Sequence, residues 1–378
     1  MRFQFSEEQK AIKQSAEDFT KKEIIPYAAQ WEEDEEFSRE TFDRMGAMGF
    51  TGMLCPDEYG GTDLGRLTTA LVIEELARGC MTTAMYMAVH NMVANLIYTY
   101  GNEEQRRRVV IPLASGEKLA AFGLTEPNAG SDAASLKTSA VLDGDEYVIN
   151  GTKIFITSGG VADIYGVMVK TDKEKRAAGI STVVVEKETS GFSFGKLEAK
   201  MGSGACPTRE LIFEDCRVSK KNLLSNEGDG FKIAMTALDG GRINIGAVAV
   251  GLAQAALDAA VSYAKERIQF GKPISSFQGI QFMLSDMATE VEASRLLVYQ
   301  AGYRMDAGLP YTMYAAMAKR FASDAAMKVC TDAVQIFGGY GYMKDYPVER
   351  YMRHAKLTQI VEGTNQVQRI VISRALLG

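Results

Sequence analysis

Histidine, tryptophan, proline and cysteine are all scarce in this chain of 378 residues, which holds two, one, eight and five of them. The five cysteines are far apart, odd in number and form no CxxC pair: Cys55, Cys80, Cys206, Cys216 and Cys330. Such spacing excludes a zinc site and a disulfide framework. Because His90 and His354 are isolated and no HExxH or phosphate-loop motif occurs, metal hydrolases and P-loop enzymes are excluded, and no metal is predicted.

Strong charge of either sign is also missing. The formal net charge is −6, and residues 231–378 carry a net +4. This excess is too small to predict nucleic-acid binding, although it would favour a phosphate-bearing ligand. The N-terminus lacks the apolar core of a signal peptide, and no run of about 18 apolar residues is present. We therefore expect no membrane insertion, and a location in the bacterial cytoplasm or, in a eukaryote, the mitochondrial matrix.

The hydrophobic periodicity changes twice along the chain and predicts three domains. Helical spacing dominates residues 1–119, and short β-branched runs separated by turn residues dominate residues 120–226. Long Ala- and Met-rich helical runs return over residues 227–378 and suit a four-helix bundle. The predicted fold class is α+β, with an N-terminal helical domain, a middle antiparallel β domain and a C-terminal helical bundle.

Two local features of these domains allow sharper predictions. The acidic residues 32–36 are expected to form a solvated loop between helices. Asn150-Gly151 is a strong tight-turn signal between the runs YVIN and TKIFIT. Strands this short and closely spaced predict a small sandwich or barrel.

Four segments are too polar or too rich in glycine to be ordinary connections. FGLTEPNAGSD, residues 122–132, allows close backbone approach and offers hydroxyls and amides to a polar ring or a phosphate. KIFITSGG, residues 153–160, is an aromatic strand that ends in hydroxyls. Arg267 lies among aromatic residues between two long helices and suits a pyrophosphate. In the C-terminal block, Glu362 stands between Val361 and Gly363, where desolvation could raise its pKa towards that of a useful base.

These segments, in this order, resemble the acyl-CoA dehydrogenase family over essentially the whole chain. The runs LTEPNAGSD, FGGYGYMKDYPVERYMRHAK and VEGTNQ each match a family signature. The resemblance implies FAD as cofactor, an acyl-CoA as substrate, an electron-transfer flavoprotein as partner and a homotetramer built as a dimer of dimers. It also implies that Glu362 takes the α proton while its own N–H and a flavin ribityl hydroxyl bind the thioester oxygen.

The resemblance assigns further residues one by one. The expected cofactor contacts are Phe122, Leu124, Thr125, Gly130, Ser131, Phe155, Ile156, Thr157, Arg267, Phe277, Gln278, Gln335, Ile336, Phe337, Gly338, Gly339, Thr364, Asn365 and Gln366. Those from Arg267 to Gly339 would serve the FAD of a neighbouring protomer. The expected substrate contacts are Ser131, Asp239, Gly240, Gly241, Arg242, Gly363 and Arg374. Some branched-chain relatives carry the base at the position of Gly241, and a glycine cannot serve as one.

Within the family, the motifs VHNM, GGRINI and ISRALL resemble the isobutyryl-CoA branch. Gln335 to Phe337 and Gln366 look more like the straight-chain enzymes, so butyryl-CoA is the alternative substrate, and Phe122 stands where many relatives carry Tyr. An acyl-CoA oxidase would use the same base, but those relatives usually have a longer chain. A non-enzymatic relative that associates with DNA would need a basic C-terminal patch, for which +4 is weak support.

Overall fold

The computed structural model describes residues 4–378, and its elements form three consecutive groups. The first is helical: α1 (Glu7–Phe19), α2 (Ala28–Asp34), α3 (Arg39–Ala47), α4 (Gly65–Gly79), α5 (Met81–Tyr100), α6 (Glu103–Gln105) and α7 (Ile111–Ala114). The second is a sheet: β1 (Ala120–Gly123), β2 (Ser139–Asp143), β3 (Glu146–Thr157), β4 (Ile164–Lys170), β5 (Ile180–Glu186), β6 (Phe192–Phe194), β7 (Thr208–Ser219) and β8 (Leu223–Leu224). The third is mainly helical: α8 (Gly230–Glu266), β9 (Ile268–Gln269), β10 (Lys272–Pro273), α9 (Gln278–Asp306), α10 (Thr312–Phe337), α11 (Val348–Thr358) and α12 (Asn365–Leu377).

The strands β1 to β8 form one sheet in the order β6-β7-β3-β2-β4-β5-β8, and β1 pairs with β4. Most neighbours run antiparallel, as predicted. However, β1 runs parallel to β4 over four residue pairs, and β2 meets β4 in parallel at Ser139 and Lys170. The sheet of the middle domain is therefore mixed, because β4 has both parallel and antiparallel neighbours.

The tight turn predicted at Asn150-Gly151 is wrong. β3 runs through both residues, and its register against β7 shifts at Gly151. Gly151 has a φ of 146°, and a Cβ there would lie 2.7 Å from Thr138 Cα. Asn150 and Asp215 exchange two hydrogen bonds of 3.0 and 2.8 Å. The Asn-Gly pair forms a β-bulge, which needs the same backbone freedom as a turn, and the turn between β2 and β3 lies at Gly144.

The solvated loop predicted at residues 32–36 is wrong in part: residues 33–36 are exposed, as expected, but α2 extends to Asp34, and the Glu32 side chain is largely withdrawn from solvent. The Glu32 carboxylate accepts hydrogen bonds from the backbone of Ser203 at 2.9 Å and pairs with His354 at 2.9 Å and Arg353 at 3.3 Å. Burial opposes its ionisation, but these hydrogen bonds and charges prevail and lower the pKa of Glu32 to about 2. Glu32 thus joins elements of all three groups.

Helix α8, with 37 residues, is the central element of the molecule. By length and composition alone it could cross a membrane, but 72% of its most apolar window is buried among the other helices, as is typical of a core helix. Its first turns pack against the sheet, since Ile233, Ala234 and Ala237 share one buried cluster with Leu124 of the segment after β1. The sheet, the N-terminal helices and the bundle therefore meet along the first half of α8.

Candidate active site

Glu362 lies in the loop between α11 and α12, in a backbone conformation that a non-glycine residue seldom adopts. Its φ is 55°, and that of Gly363 is 88°. Such strain persists only where the surrounding structure enforces it, and it is common in active sites. The carboxylate faces α8, because a Cβ built on Gly241 would lie 2.4 Å from Glu362 Oε2. A glycine at position 241 therefore leaves the space that the carboxylate occupies.

The electrostatic environment of Glu362 suits a general base. Its Oε2 atom is buried and has no hydrogen-bond partner within residues 4–378. Burial raises the pKa of Glu362 to about 7, against the opposing charges of Arg242 and Lys319. The Glu362 backbone N–H also donates to no other described residue. A base with a pKa near neutrality and a free N–H beside it can take a proton and bind a developing oxyanion.

Two side chains that sequence reasoning missed hold this loop. The ammonium group of Lys319, fully buried on α10, donates to Gly363 O at 2.8 Å and to Asn365 Oδ1 at 2.9 Å. Gln368 Nε2 donates to Glu362 O at 3.1 Å and to Gly363 O at 2.9 Å. Burial lowers the pKa of Lys319 to about 8. We infer that both residues position Glu362.

Asn365, predicted to contact FAD, has its amide fully engaged by protein. The amide nitrogen donates to Ser323 Oγ at 2.9 Å and to Asp324 Oδ1 at 2.7 Å, while the oxygen accepts from Lys319. No polar atom of this side chain is left to hold a cofactor. The side chain thus anchors α12 to α10, and a contact between Asn365 and FAD, which only its backbone could then make, stays a prediction.

Four predicted substrate residues lie together on α8, and one of them, Gly241, lies against Glu362. Asp239, Gly240, Gly241 and Arg242 are buried on α8, and Arg242 forms an ion pair with Asp239. Thr312 donates to Asp239 at 2.6 Å. Ser131 and Arg374, by contrast, are exposed, and Arg374 makes no side-chain hydrogen bond within the described chain. Substrate contacts at these two positions stay predictions.

The two segments predicted to hold the flavin ring lie side by side. The backbone N–H of Ile154 donates to Thr125 O at 2.9 Å, and Lys153 donates to Leu124 O at 3.3 Å. Phe155, two residues before the end of β3, has a φ of 58°, and its side chain is 65% exposed. An aromatic ring held out of the core in this way is suited to contact a planar ligand. The contacts of Gly130, Ser131, Thr157, Thr364 and Gln366 with FAD stay predictions.

Five other predicted cofactor residues, Arg267 and the run Ile336 to Gly339, line a separate groove of about 500 Å³, whereas Phe277, Gln278 and Gln335 do not line it. The Arg267 guanidinium lies 5.3 Å from the ring centroid of Tyr340 and forms no ion pair with a carboxylate of residues 4–378. Gly338 and Gly339 face open space. Phe277 precedes α9, Gln278 is its first residue, and Gln335 is exposed in the last turn of α10.

These features fit FAD. An unpaired guanidinium beside two unobstructed glycines suits a pyrophosphate, and the buried Ser158 hydroxyl after Phe155 has no partner among the residues described. Along α8, Gly241 and Arg267 are separated by about 39 Å at 1.5 Å per residue. The groove therefore lies far from the candidate base Glu362, which faces Gly241. Its contact with the FAD of a neighbouring protomer stays a prediction.

Arg267→Ala is expected to weaken FAD retention, because a bidentate contact with pyrophosphate is strong and geometrically specific. FAD content after gel filtration, measured from absorbance, is expected to fall well below that of the parent protein. Arg217→Ala, which removes an exposed arginine of β7, serves as the control. Full FAD retention by Arg267→Ala would contradict an FAD site shared between protomers. So would a protein that ultracentrifugation shows to be a monomer with its full content of FAD.

Comparison with known proteins covers the whole architecture. Models of the N-terminal, middle and C-terminal domains of acyl-CoA dehydrogenase match residues 6–117, 121–216 and 228–377. The chain is 49% identical to a short-chain specific acyl-CoA dehydrogenase of Clostridium acetobutylicum, over 99% of both chains. It is 48% identical to the mitochondrial isobutyryl-CoA dehydrogenase of Dictyostelium discoideum, over 98% of this chain and 89% of that one. A structure solved in work on the electron transferring flavoprotein of Acidaminococcus fermentans superposes with a TM-score of 0.99 at 53% identity, over 100% of both chains.

Proposed function

Because this chain belongs to the acyl-CoA dehydrogenase family, and so is an FAD-dependent oxidoreductase, we propose that it dehydrogenates a short, branched acyl-CoA thioester. The observation that carries the proposal is the buried, unpartnered carboxylate of Glu362 against Gly241. The product would be the 2-enoyl-CoA.

The geometry of the site supports a role for residues of this chain in the reaction. Glu362 takes the α proton of the thioester, and its N–H polarises the thioester carbonyl so that this proton becomes acidic. The charges of Arg242 and Lys319 favour the ionised carboxylate and so limit the rise in its pKa that burial causes. The chemistry that bound FAD would supply is a hydride acceptor for the β carbon. Phe155 and the loop from Phe122 to Thr125 would hold the flavin ring, and Arg267 to Gly339 the dinucleotide of a neighbour.

Two features favour a branched C4 substrate. Val361, directly before the base, carries a small β-branched side chain that is partly buried against the core. Isobutyryl-CoA carries its extra methyl group at the α carbon, so the space it needs is close to Glu362. Similarity to the isobutyryl-CoA dehydrogenase supports this substrate, and similarity to the short-chain specific enzyme supports butyryl-CoA as the alternative.

The proposal includes partners. Phe270 is 93% exposed and Tyr342 is 81% exposed. Large exposed aromatic residues mark interaction surfaces, and a second copy of the chain would cover them in a homotetramer. We further propose that electrons pass to an electron-transfer flavoprotein, as the similarity to the Acidaminococcus structure suggests.

The purified protein is expected to be yellow, with about one FAD per chain, and to be reduced by short acyl-CoA thioesters without oxygen.

Isobutyryl-CoA is expected to give the highest kcat/KM, then butyryl-CoA or 2-methylbutyryl-CoA, with octanoyl-CoA poor. A single methyl or methylene group changes specificity by roughly 10- to 200-fold, so C4 substrates will overlap. Stopped-flow measurement of flavin reduction tests this order. A preference for octanoyl-CoA over all C4 and C5 thioesters contradicts the short substrate, and a colourless protein that takes up no FAD contradicts the function.

A further inference from the structure

Four buried polar atoms without a hydrogen-bond partner cluster on one side of α8. They are Glu362 Oε2, Arg66 Nη1 and both amide atoms of Asn244, as judged within residues 4–378. A Cβ on Gly240 would lie 2.6 Å from Arg66 Nη1, and one on Gly241 would lie 2.4 Å from Glu362 Oε2. Since adjacent Cα atoms are 3.8 Å apart, Arg66 Nη1 and Glu362 Oε2 are within about 12 Å of each other.

Asn244 belongs to this cluster by helix geometry. It follows Gly240 by four residues and Gly241 by three, and such residues share one helix face. Side chains on a helix lean towards its N-terminus, so the Asn244 side chain is directed towards the turn that holds the glycine pair. The residue is fully buried. Helix geometry therefore places Asn244 on the face of α8 that Arg66 and Glu362 approach.

Arg66 is a buried cation without an ionic partner. Its Nη2 atom donates to Asn95 Oδ1 at 2.6 Å, whereas Asp306 accepts from the backbone N–H of Arg66. No carboxylate lies within 4.0 Å of its guanidinium nitrogens in the part of the chain that the structure describes. Burial lowers the pKa of Arg66 to about 10, which still leaves it charged at neutral pH. Buried polar atoms rarely stay unpaired in proteins, so these atoms require water or a polar ligand group.

We propose that Asn244 and Arg66 form a hydrogen-bonding wall at the end of the acyl site and set the upper limit on acyl chain length. The inference rests on the function proposed above. A C4 acyl group leaves room for the water that satisfies these atoms. A longer alkyl tail displaces that water and leaves buried polar atoms unpaired, which lowers specificity by about 10- to 100-fold.

A pair of substitutions separates polarity from volume. Asn244→Leu keeps roughly the size of the side chain and removes its polar atoms, whereas Asn244→Ser makes it smaller and keeps it polar. The measurement is the ratio of kcat/KM for hexanoyl-CoA to that for butyryl-CoA, by anaerobic flavin reduction of the holoenzyme. We expect the ratio to rise at least about tenfold in Asn244→Leu and to change little in Asn244→Ser. Arg66→Met is expected to raise it as well.

The outcomes distinguish the inference from the function on which it rests. A parent enzyme that no C4 or C5 thioester reduces contradicts the proposed function. A parent enzyme that butyryl-CoA reduces, with an unchanged ratio in Asn244→Leu, overturns the wall. A rise in Asn244→Ser alone overturns it too, because volume would then set the limit. If the variants fail to fold, the parent decides: tighter binding of hexanoyl-CoA than of butyryl-CoA overturns the proposal, and weaker binding supports it.

Discussion

Glu362→Gln is expected to slow the reduction of bound FAD by acyl-CoA by at least about 10³-fold. A positioned general base contributes roughly 10² to 10⁴-fold, and a carboxamide of the same shape cannot accept the α proton. The upper part of that range is expected because Gly241, the nearest residue of α8, offers no substitute group. FAD content and binding of CoA thioesters are expected to survive, since the substitution changes neither volume nor backbone. Stopped-flow reduction under anaerobic conditions measures the effect.

The pH dependence of the parent enzyme provides an independent check. Since burial raises the pKa of Glu362 to about 7, the carboxylate is protonated and inactive below that pH and active above it. The kcat/KM for flavin reduction is therefore expected to rise with pH through about 7 and then to level off. Glu75→Gln is the matched control, because burial also raises the pKa of Glu75, whose partners are Lys13 and Arg78. A Glu362→Gln enzyme that keeps most of its rate would mean that another carboxylate is the base.

Gly241→Ala is expected to reduce kcat by about 100-fold while FAD stays bound. The added Cβ would lie 2.4 Å from Glu362 Oε2, so the carboxylate must move. A displacement of about 1 Å at the reacting groups can cost roughly 10²-fold in rate. The expected loss of rate therefore comes from the displaced position of the base, because the carboxylate group itself is unchanged. Single-turnover flavin reduction at saturating isobutyryl-CoA measures this loss.

Gly246→Ala is the control for simple overpacking of α8. Its added Cβ would lie 2.8 Å from a methyl group of Val298, on the side of the helix that faces α9. It is expected to lower stability by about 1 to 3 kcal/mol and to leave kcat per bound FAD close to that of the parent. Equal losses of kcat in both variants, or an unchanged rate in Gly241→Ala, would show that the carboxylate does not rest against Gly241 during the reaction.

Local sequence patterns predicted most elements of this fold. Helical spacing predicted the two helical regions that hold α4, α5, α8, α9 and α10, because a helix buries a stripe that repeats along the chain. The pattern is weakest before α11, which follows a glycine- and tyrosine-rich block. The family, its cofactor and the candidate base also came from short motifs. Each motif consists of neighbouring residues, so no knowledge of the packing was needed to find it.

Which side chains are buried, and which groups they pair with, was decided by the tertiary structure alone. Residues 32–36 look solvated from their charge, yet Glu32 is paired with groups from residues 203 and 353–354. Lys319 meets the base loop 44 residues away, and Gly241 meets Glu362 across 121 residues. The pKa of Glu362 depends on desolvation by all the elements around it, and no local pattern encodes that quantity. The sequence by itself determined which residues could do the chemistry, and the packing of α8, α10 and the loop before α12 determined which of them meet.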